Sequence, residues 1–300
     1  MITLDRFALS SLNAFLTDLK VLVKIRLSIS VVFSAVAGYL LAASPFSLYN
    51  LFFLASGGMA LVSASNAFNQ VMERSLDAKM QRTKMRPLVT ERMSVSFALV
   101  VAISLTLLGT AMLFVLNFKT AFFGLLSVLI YVAAYTPLKT KTPLSVFVGA
   151  IPGAIPFMLG WVGATNQFGI EAGTLFMIQF FWQFPHFWAL GWMLHEDYER
   201  GGFRMLPTGD RDRKTAFQIV IYALWTIVTS IVPVFGFTGA LQLSVYGALV
   251  IFVLGIYMLV PAFKLFQTLE VRYAKSLMLR SVIYLTLIQI IYVLDRFFIL

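Results

Sequence analysis

Nine runs of about 20 apolar residues dominate this chain, and a run of that length is what a helix needs to cross the hydrocarbon of a bilayer. They fall at roughly 22–43, 48–70, 94–116, 119–136, 143–164, 170–194, 215–235, 240–260 and 279–298. In lipid every backbone N–H and C=O must be satisfied within the segment, so such runs fold as helices. The fold expected is therefore all-α: one polytopic membrane domain over residues 1–300, with nine transmembrane helices. Residues 1–21 precede the first span, and the stretch Leu9 to Leu22 within the N-terminal segment reads as an amphipathic helix at the interface. Composition agrees: 60% of the 300 residues are hydrophobic and 12% charged, against about 45–50% apolar in soluble domains.

Charge orients the spans. If successive loops alternate sides, 21 of the 23 Lys and Arg residues fall on one face, and only Lys119 and Arg296 on the other. That asymmetry predicts a multi-pass protein of the inner (cell) membrane with a cytoplasmic N-terminus and the C-terminus opposite. The formal charge of +10 is accounted for by basic loops that face the anionic membrane surface and an anionic substrate. Nucleic acid is not an expected partner; the lipid bilayer is. No cysteine is present, which excludes disulfides, thiolate metal sites and cysteine nucleophiles.

Two loops on the basic side also carry acids. The first follows span 2 and reads NQVMERSLDAKMQRTKMRPL from Asn69. As a helix, its Asn69, Glu73 and Asp77 are spaced i, i+4, i+8 and share one face. Oxygen ligands so arranged suit Mg²⁺, which takes phosphate oxygens as further ligands. Arg82 and Arg86 repeat the four-residue spacing and suit an anionic leaving group. The second loop follows span 6, with Glu196, Asp197 and Glu199 just beyond the span. The two loops lie on the same side, four spans apart, and can face each other across a bundle, which makes a two-cluster metal site plausible. The competing reading is that these are solvated topology signals, but acids contribute little to topology.

Span 6 carries a polar stripe, Gln179, Gln183 and His186, in FMIQFFWQFPHFWALGW. Intramembrane polar residues face a bundle interior or a substrate, so Gln183 and His186 are candidates for substrate contact; the alternative for the histidine is a hydrogen-bonded packing residue. Pro185 is expected to kink the span. Lys139, in YTPLKTKTP, lies on the loop side and can reach a phosphate as a point charge or simply anchor its loop. Lys24 and Arg26 carry the same two readings.

These stretches together resemble the UbiA superfamily of intramembrane prenyltransferases, and within it the haem-modifying branch. The resemblance is carried by KIRLSISVVFSAVAGYLLA from Lys24, the Asn69 loop, YTPLKTKTPLSVFVGAIPGAIPFMLGW from Tyr135 and WQFPHFWALGWMLHEDYERGGFRMLP from Trp182. It implies helices around a central cavity and two pseudo-repeated acidic loops on the cytoplasmic side. It further implies that Asn69, Glu73, Asp77, Glu196 and Asp197 bind farnesyl diphosphate through Mg²⁺, with Arg82, Arg86, Lys139 and Arg204 near the substrate. His186 becomes a candidate contact to haem B, the second substrate. The implied reaction is farnesyl transfer to the haem B vinyl group with water addition, giving haem O and diphosphate. The implied setting is terminal-oxidase assembly or other haem-modifying partners. Glu73 stands where the superfamily usually has aspartate, Ile25 where many relatives have proline, and Gly201 interrupts the acidic spacing of the second motif. A quinone-precursor prenyltransferase is the alternative on the same scaffold. A transporter would want its ionisable residues at mid-membrane, and here nearly all lie at one face.

Overall fold

The computed structural model describes the backbone of residues 2–299 and the side chains of residues 12–299. Among these residues the structure is helical, without strands. The elements are α1 (Ile2–Leu22), α2 (Ile25–Ala42), α3 (Leu48–Met72), α4 (Arg74–Asp77), α5 (Val95–Leu116), α6 (Phe118–Leu129), a π-helical turn (Ile130–Tyr135), α7 (Thr136–Leu138), α8 (Ser145–Thr165), α9 (Ile170–Met193), α10 (His195–Gly201), α11 (Arg213–Ile231), a 3-10 turn (Val232–Phe235), α12 (Val245–Thr268) and α13 (Val271–Phe298). Eight helical segments are long and apolar enough to cross a membrane: α2, α3, α5, Phe118–Leu138, α8, Arg213–Phe235, α12 and α13. The protein is thus a multi-pass membrane protein. Helix α9, the remaining expected span, has 24 residues but is less apolar, because Glu171, Gln179, Gln183 and His186 interrupt it.

The first half of α1, where the amphipathic reading begins, has side chains outside the described ones. Its second half exposes Leu12, Phe15 and Leu16. It is tied down by Asp18, which pairs with Arg92 at 2.9 Å, and by Gln70, whose amide donates to the Val21 and Leu22 carbonyls.

Helix α8 is the inner helix, with 72% of its span buried, and it packs against α2, α6 and α9. Glycine makes the closest crossing possible. A Cβ on Gly160 would meet the backbone of Ala35 and Tyr39, and one on Gly38 the backbone of Phe157. This is the small-residue contact by which membrane helices approach. Pro152 and Pro156 lie inside α8, and each removes a donor from the helical ladder. Ser127 of α6 donates to the Pro152 carbonyl at 3.3 Å, and Gln183 of α9 donates to the Ala150 carbonyl at 2.8 Å. Gln179 accepts from the Phe157 N–H at 3.2 Å. The glutamines of the polar stripe therefore stitch α9 to the proline-containing stretch of α8.

Helix α13 starts at Val271 rather than near 279 because charged residues extend it. Arg280 lies inside it and donates to the Tyr257 carbonyl of α12 at 2.8 Å, its guanidinium 4.2 Å from the Tyr257 ring. That carbonyl is the one Pro261 leaves without a helical donor. A double-mutant cycle with Arg280→Leu and Pro261→Ala is therefore expected to show a coupling free energy of about 1 kcal/mol. Additive unfolding free energies in detergent would contradict the pairing.

Candidate functional site

Helix α3 ends at Met72, and Glu73 breaks it with φ −95° and ψ 6° before α4 resumes. The i to i−4 bonding nonetheless carries across the break: Glu73 N–H donates to Asn69 O at 2.9 Å and Asp77 N–H to Glu73 O at 2.7 Å. The three side chains consequently stay on one face, as their spacing predicts. Asn69, Glu73 and Asp77 are 2%, 5% and 1% exposed, so they are buried and not solvated loop residues.

Cations close around them. Lys139 Nζ lies 2.7 Å from Glu73 Oε1, and Arg86 pairs with Asp77 Oδ2. Lys24 Nζ reaches Asn69 Oδ1 at 3.4 Å, and the Asn69 amide donates to Thr136 Oγ1 at 3.4 Å. Lys24 holds this position in a left-handed conformation, φ 46°, which a non-glycine residue adopts only under constraint. Three basic side chains thus face two carboxylates in a buried pocket, and an incoming anion would favour the charged form of all three. Burial, with Arg86 and Lys139 nearby, lowers the Lys24 pKa to about 7. Burial also pushes the Asp77 carboxyl above its usual range, although the Arg86 guanidinium opposes this.

The π-helical turn supplies an aromatic wall. Tyr131, Tyr135 and Lys139 are spaced i, i+4, i+8, and the Lys139 ammonium lies 4.4 Å from the Tyr135 ring and 5.8 Å from that of Tyr131. Phe203, from the second loop, closes the cage at 5.9 Å. π-Turns recur at functional sites because they re-aim side chains. The second loop is pinned by its backbone too, Arg204 N–H donating to Lys139 O at 2.7 Å.

Asp197 joins the two loops. Its carboxylate accepts from the Gln81 N–H at 2.8 Å, the Arg82 N–H at 3.3 Å and Arg200 at 2.8 Å. Burial opposes ionisation of Asp197, but these donors win and hold its carboxyl below the usual range. Arg82 lies over the Tyr198 ring at 5.7 Å, on the rim. The structure therefore brings together Asn69, Glu73, Asp77, Arg86 and Lys139, with Asp197 and Arg82 at the edge. Glu196 is exposed and pairs with Arg211 at 3.2 Å. Arg204 has an exposed side chain. Gln183 is buried, its amide nitrogen committed to Ala150 O and Gln179 O. His186 is half-buried between α9 and α13, bonded to Ser281.

Sequence reasoning left Lys24 open between two roles and did not single out Tyr131, Tyr135, Tyr198 or Phe203. The first two were findable, since Tyr131, Tyr135 and Lys139 repeat the four-residue spacing that revealed the acids. No local pattern encodes the left-handed turn that aims Lys24.

Among the described residues no three acidic or histidine side chains form a metal cage on their own. The donors present fit a different arrangement. Asp77 Oδ1 is fully buried and has no hydrogen-bond partner in the protein, which leaves it free to take an ion or water as ligand. Mg²⁺ characteristically takes one or two carboxylates and completes its shell with phosphates and water, so this donor set suits a substrate-bridged ion.

Below the polar cluster a narrow apolar fissure of about 40 Å³ runs between α2, α3, α6 and α8, lined by Val32, Leu61, Ser65, Gly124, Ile155 and Leu159 among others. Ser65 is one helical turn before Asn69 on α3, so the fissure begins close under the site.

Residues 31–286 match the UbiA prenyltransferase family. A protoheme IX farnesyltransferase of Christiangramia forsetii is 59% identical over 284 residues, covering 95% of each chain. Another, from Flavobacterium psychrophilum, is 56% identical and covers 96% of this chain and 97% of its own. In fold, the chain is similar to a digeranylgeranylglyceryl phosphate synthase, with TM-score 0.77 at 13% identity over 94% of this chain and 98% of that one. It is also similar to a UbiA homologue from Archaeoglobus fulgidus bound to DMAPP and Mg²⁺, with TM-score 0.65 at 15% identity over 90% and 98%. By its sequence match and its helical architecture together, this chain belongs to the UbiA prenyltransferase family.

Proposed function

We propose that this protein transfers the farnesyl group of farnesyl diphosphate to the vinyl side chain of haem B, with addition of water, giving haem O and diphosphate. The observation that carries the reading is the buried polar cluster, cation-rich and with an orphaned Asp77 oxygen, set one helical turn above an apolar fissure. A diphosphate needs the first, and the second is an apolar seam between helices that would widen to take an isoprenoid tail. The protoheme IX farnesyltransferases that share over half of its sequence supply the acceptor.

Asn69, Asp77 and Glu73 would hold Mg²⁺ with the diphosphate, and Asp197 fixes the 81–82 backbone beside them. When bound, the ion supplies positive charge to the diphosphate oxygens. Lys24, Arg86 and Lys139 take up the negative charge that develops as the bond between C1 and the diphosphate oxygen breaks. Their pocket is buried, so each contributes more than it would in water. The Tyr131 and Tyr135 rings beside Lys139 offer π faces to the allylic cation left at C1. The haem vinyl electrons then form the new carbon–carbon bond, and the cation this leaves beside the porphyrin takes up water and releases a proton. The chain would lie in the inner membrane with its N-terminus and site mouth cytoplasmic, the side its basic loops select.

Purified protein incubated with haem B, farnesyl diphosphate and Mg²⁺ is expected to yield haem O by mass spectrometry, and EDTA to suppress it. Unmodified haem alongside farnesylation of a phenolic acceptor would overturn the reading in favour of a quinone-type transferase.

A further inference from the structure

The contact between α9 and α13 determines which nitrogen of His186 is bare. His186 Nδ1 lies 2.9 Å from Ser281 Oγ, and the same hydroxyl lies 2.7 Å from the Met278 carbonyl oxygen. A carbonyl only accepts; with the Ser281 proton donated to Met278 O the Ser281 oxygen accepts from the imidazole, and the same carbonyl also faces the ring as an acceptor. Both contacts are satisfied only when Nδ1 carries the ring proton. Nε2 is then an unprotonated lone pair, and among the described residues no hydrogen-bond donor meets it. The ring plane is set as well: Trp182 stacks on His186 at 4.7 Å with 16° between planes, and Trp182 Nε1 donates to the Ser281 carbonyl at 2.6 Å. A neutral imidazole held through Nδ1–H with Nε2 bare is the form in which histidine ligates metals.

We infer that Ser281 is a positioning residue that locks His186 in the Nδ1–H tautomer so that Nε2 serves as an axial ligand to the iron of a haem docked against α9 and α13. The inference rests on the proposed haem acceptor, and it assigns to α13 a part in substrate binding that its sequence does not display. Ligation there would anchor the porphyrin by its centre and leave its vinyl edge free to be turned toward the allylic carbon. Ser281 does not touch the haem itself; it acts through the imidazole.

The test is titration of the full-length purified protein with ferric haem B, followed by optical and electron paramagnetic resonance spectra. The wild-type protein is expected to show histidine-ligated haem. Ser281→Ala is expected to bind haem about tenfold more weakly or worse, as loss of a metal ligand's orienting partner typically does, with a mixed ligation spectrum. Ser281→Thr, which retains the hydroxyl, is expected to restore both. His186→Gly is expected to lose the ligand signature and regain it on addition of imidazole, a comparison that decides the matter if Ser281→Ala does not fold. An unchanged affinity and spectrum in Ser281→Ala, or wild-type ligation in His186→Gly, would overturn the inference while leaving the transferase reading standing. Failure of the wild-type protein to bind haem at all would overturn both.

Discussion

Asp77→Asn is expected to lower kcat by about 10²–10³-fold, the loss typical when one preorganised charge-stabilising group is removed. Asp77 combines three properties that no other carboxylate among the described residues shares. It is 1% exposed, it pairs with Arg86, and its second oxygen has no partner in the protein. The amide keeps the shape and can still accept from Arg86, so the fold should survive. What it removes is the charge that draws a cation to the unpaired position. The check is single-turnover formation of haem O, with thermal unfolding measured in parallel. A variant that folds and retains activity within threefold of the parent would show that the orphaned oxygen serves no chemistry.

Lys139→Met is expected to destabilise the protein by about 3–5 kcal/mol, because it strands the Glu73 carboxylate in a buried site. The pair's side chains are 9% and 7% exposed, too little for water to take over the ammonium's role. Adding Glu73→Gln should recover most of that stability, since the isolated charge is then gone. Activity should stay low in the double variant, because both the cation facing the diphosphate and a carboxylate that would hold Mg²⁺ are then missing. The structural and catalytic roles of the pair as a unit are thereby separated. Recovery of both in the double variant would reduce Lys139 to a structural role, and recovery of neither would implicate the Tyr131 and Tyr135 cage instead.

Much of this was legible before any coordinates. Apolar run length revealed the helices, and the four-residue spacing of Asn69, Glu73 and Asp77 placed them on one face despite the break at Glu73. Of the second loop's acids Asp197 reaches the first loop, through the backbone N–H groups of Gln81 and Arg82, whereas Glu196 points outward and pairs with Arg211. Less legible was the division of labour inside α9. Gln179 and Gln183 stand out as an intramembrane polar stripe, but their partners are the α8 backbone around Pro152 and Pro156, a long-range relation that helical periodicity does not encode. The same holds for Arg280, which reads as a break in an apolar run until the carbonyl freed by Pro261 is seen beside it. Lys24 is the clearest instance. Its approach to Asn69 depends on a left-handed residue between α1 and α2, and residue type gives no hint of that turn.

The account stands on a divalent cation and a prenyl diphosphate sharing the pocket of Asn69, Glu73 and Asp77. Electron paramagnetic resonance with Mn²⁺ in place of Mg²⁺, in the presence of farnesyl thiolodiphosphate, tests this most directly through the coupling of the bound metal to phosphorus. A phosphorus-coupled Mn²⁺ signal in the parent protein that disappears in Asp77→Asn is the predicted result. The same coupled signal, undiminished in that variant, would contradict it.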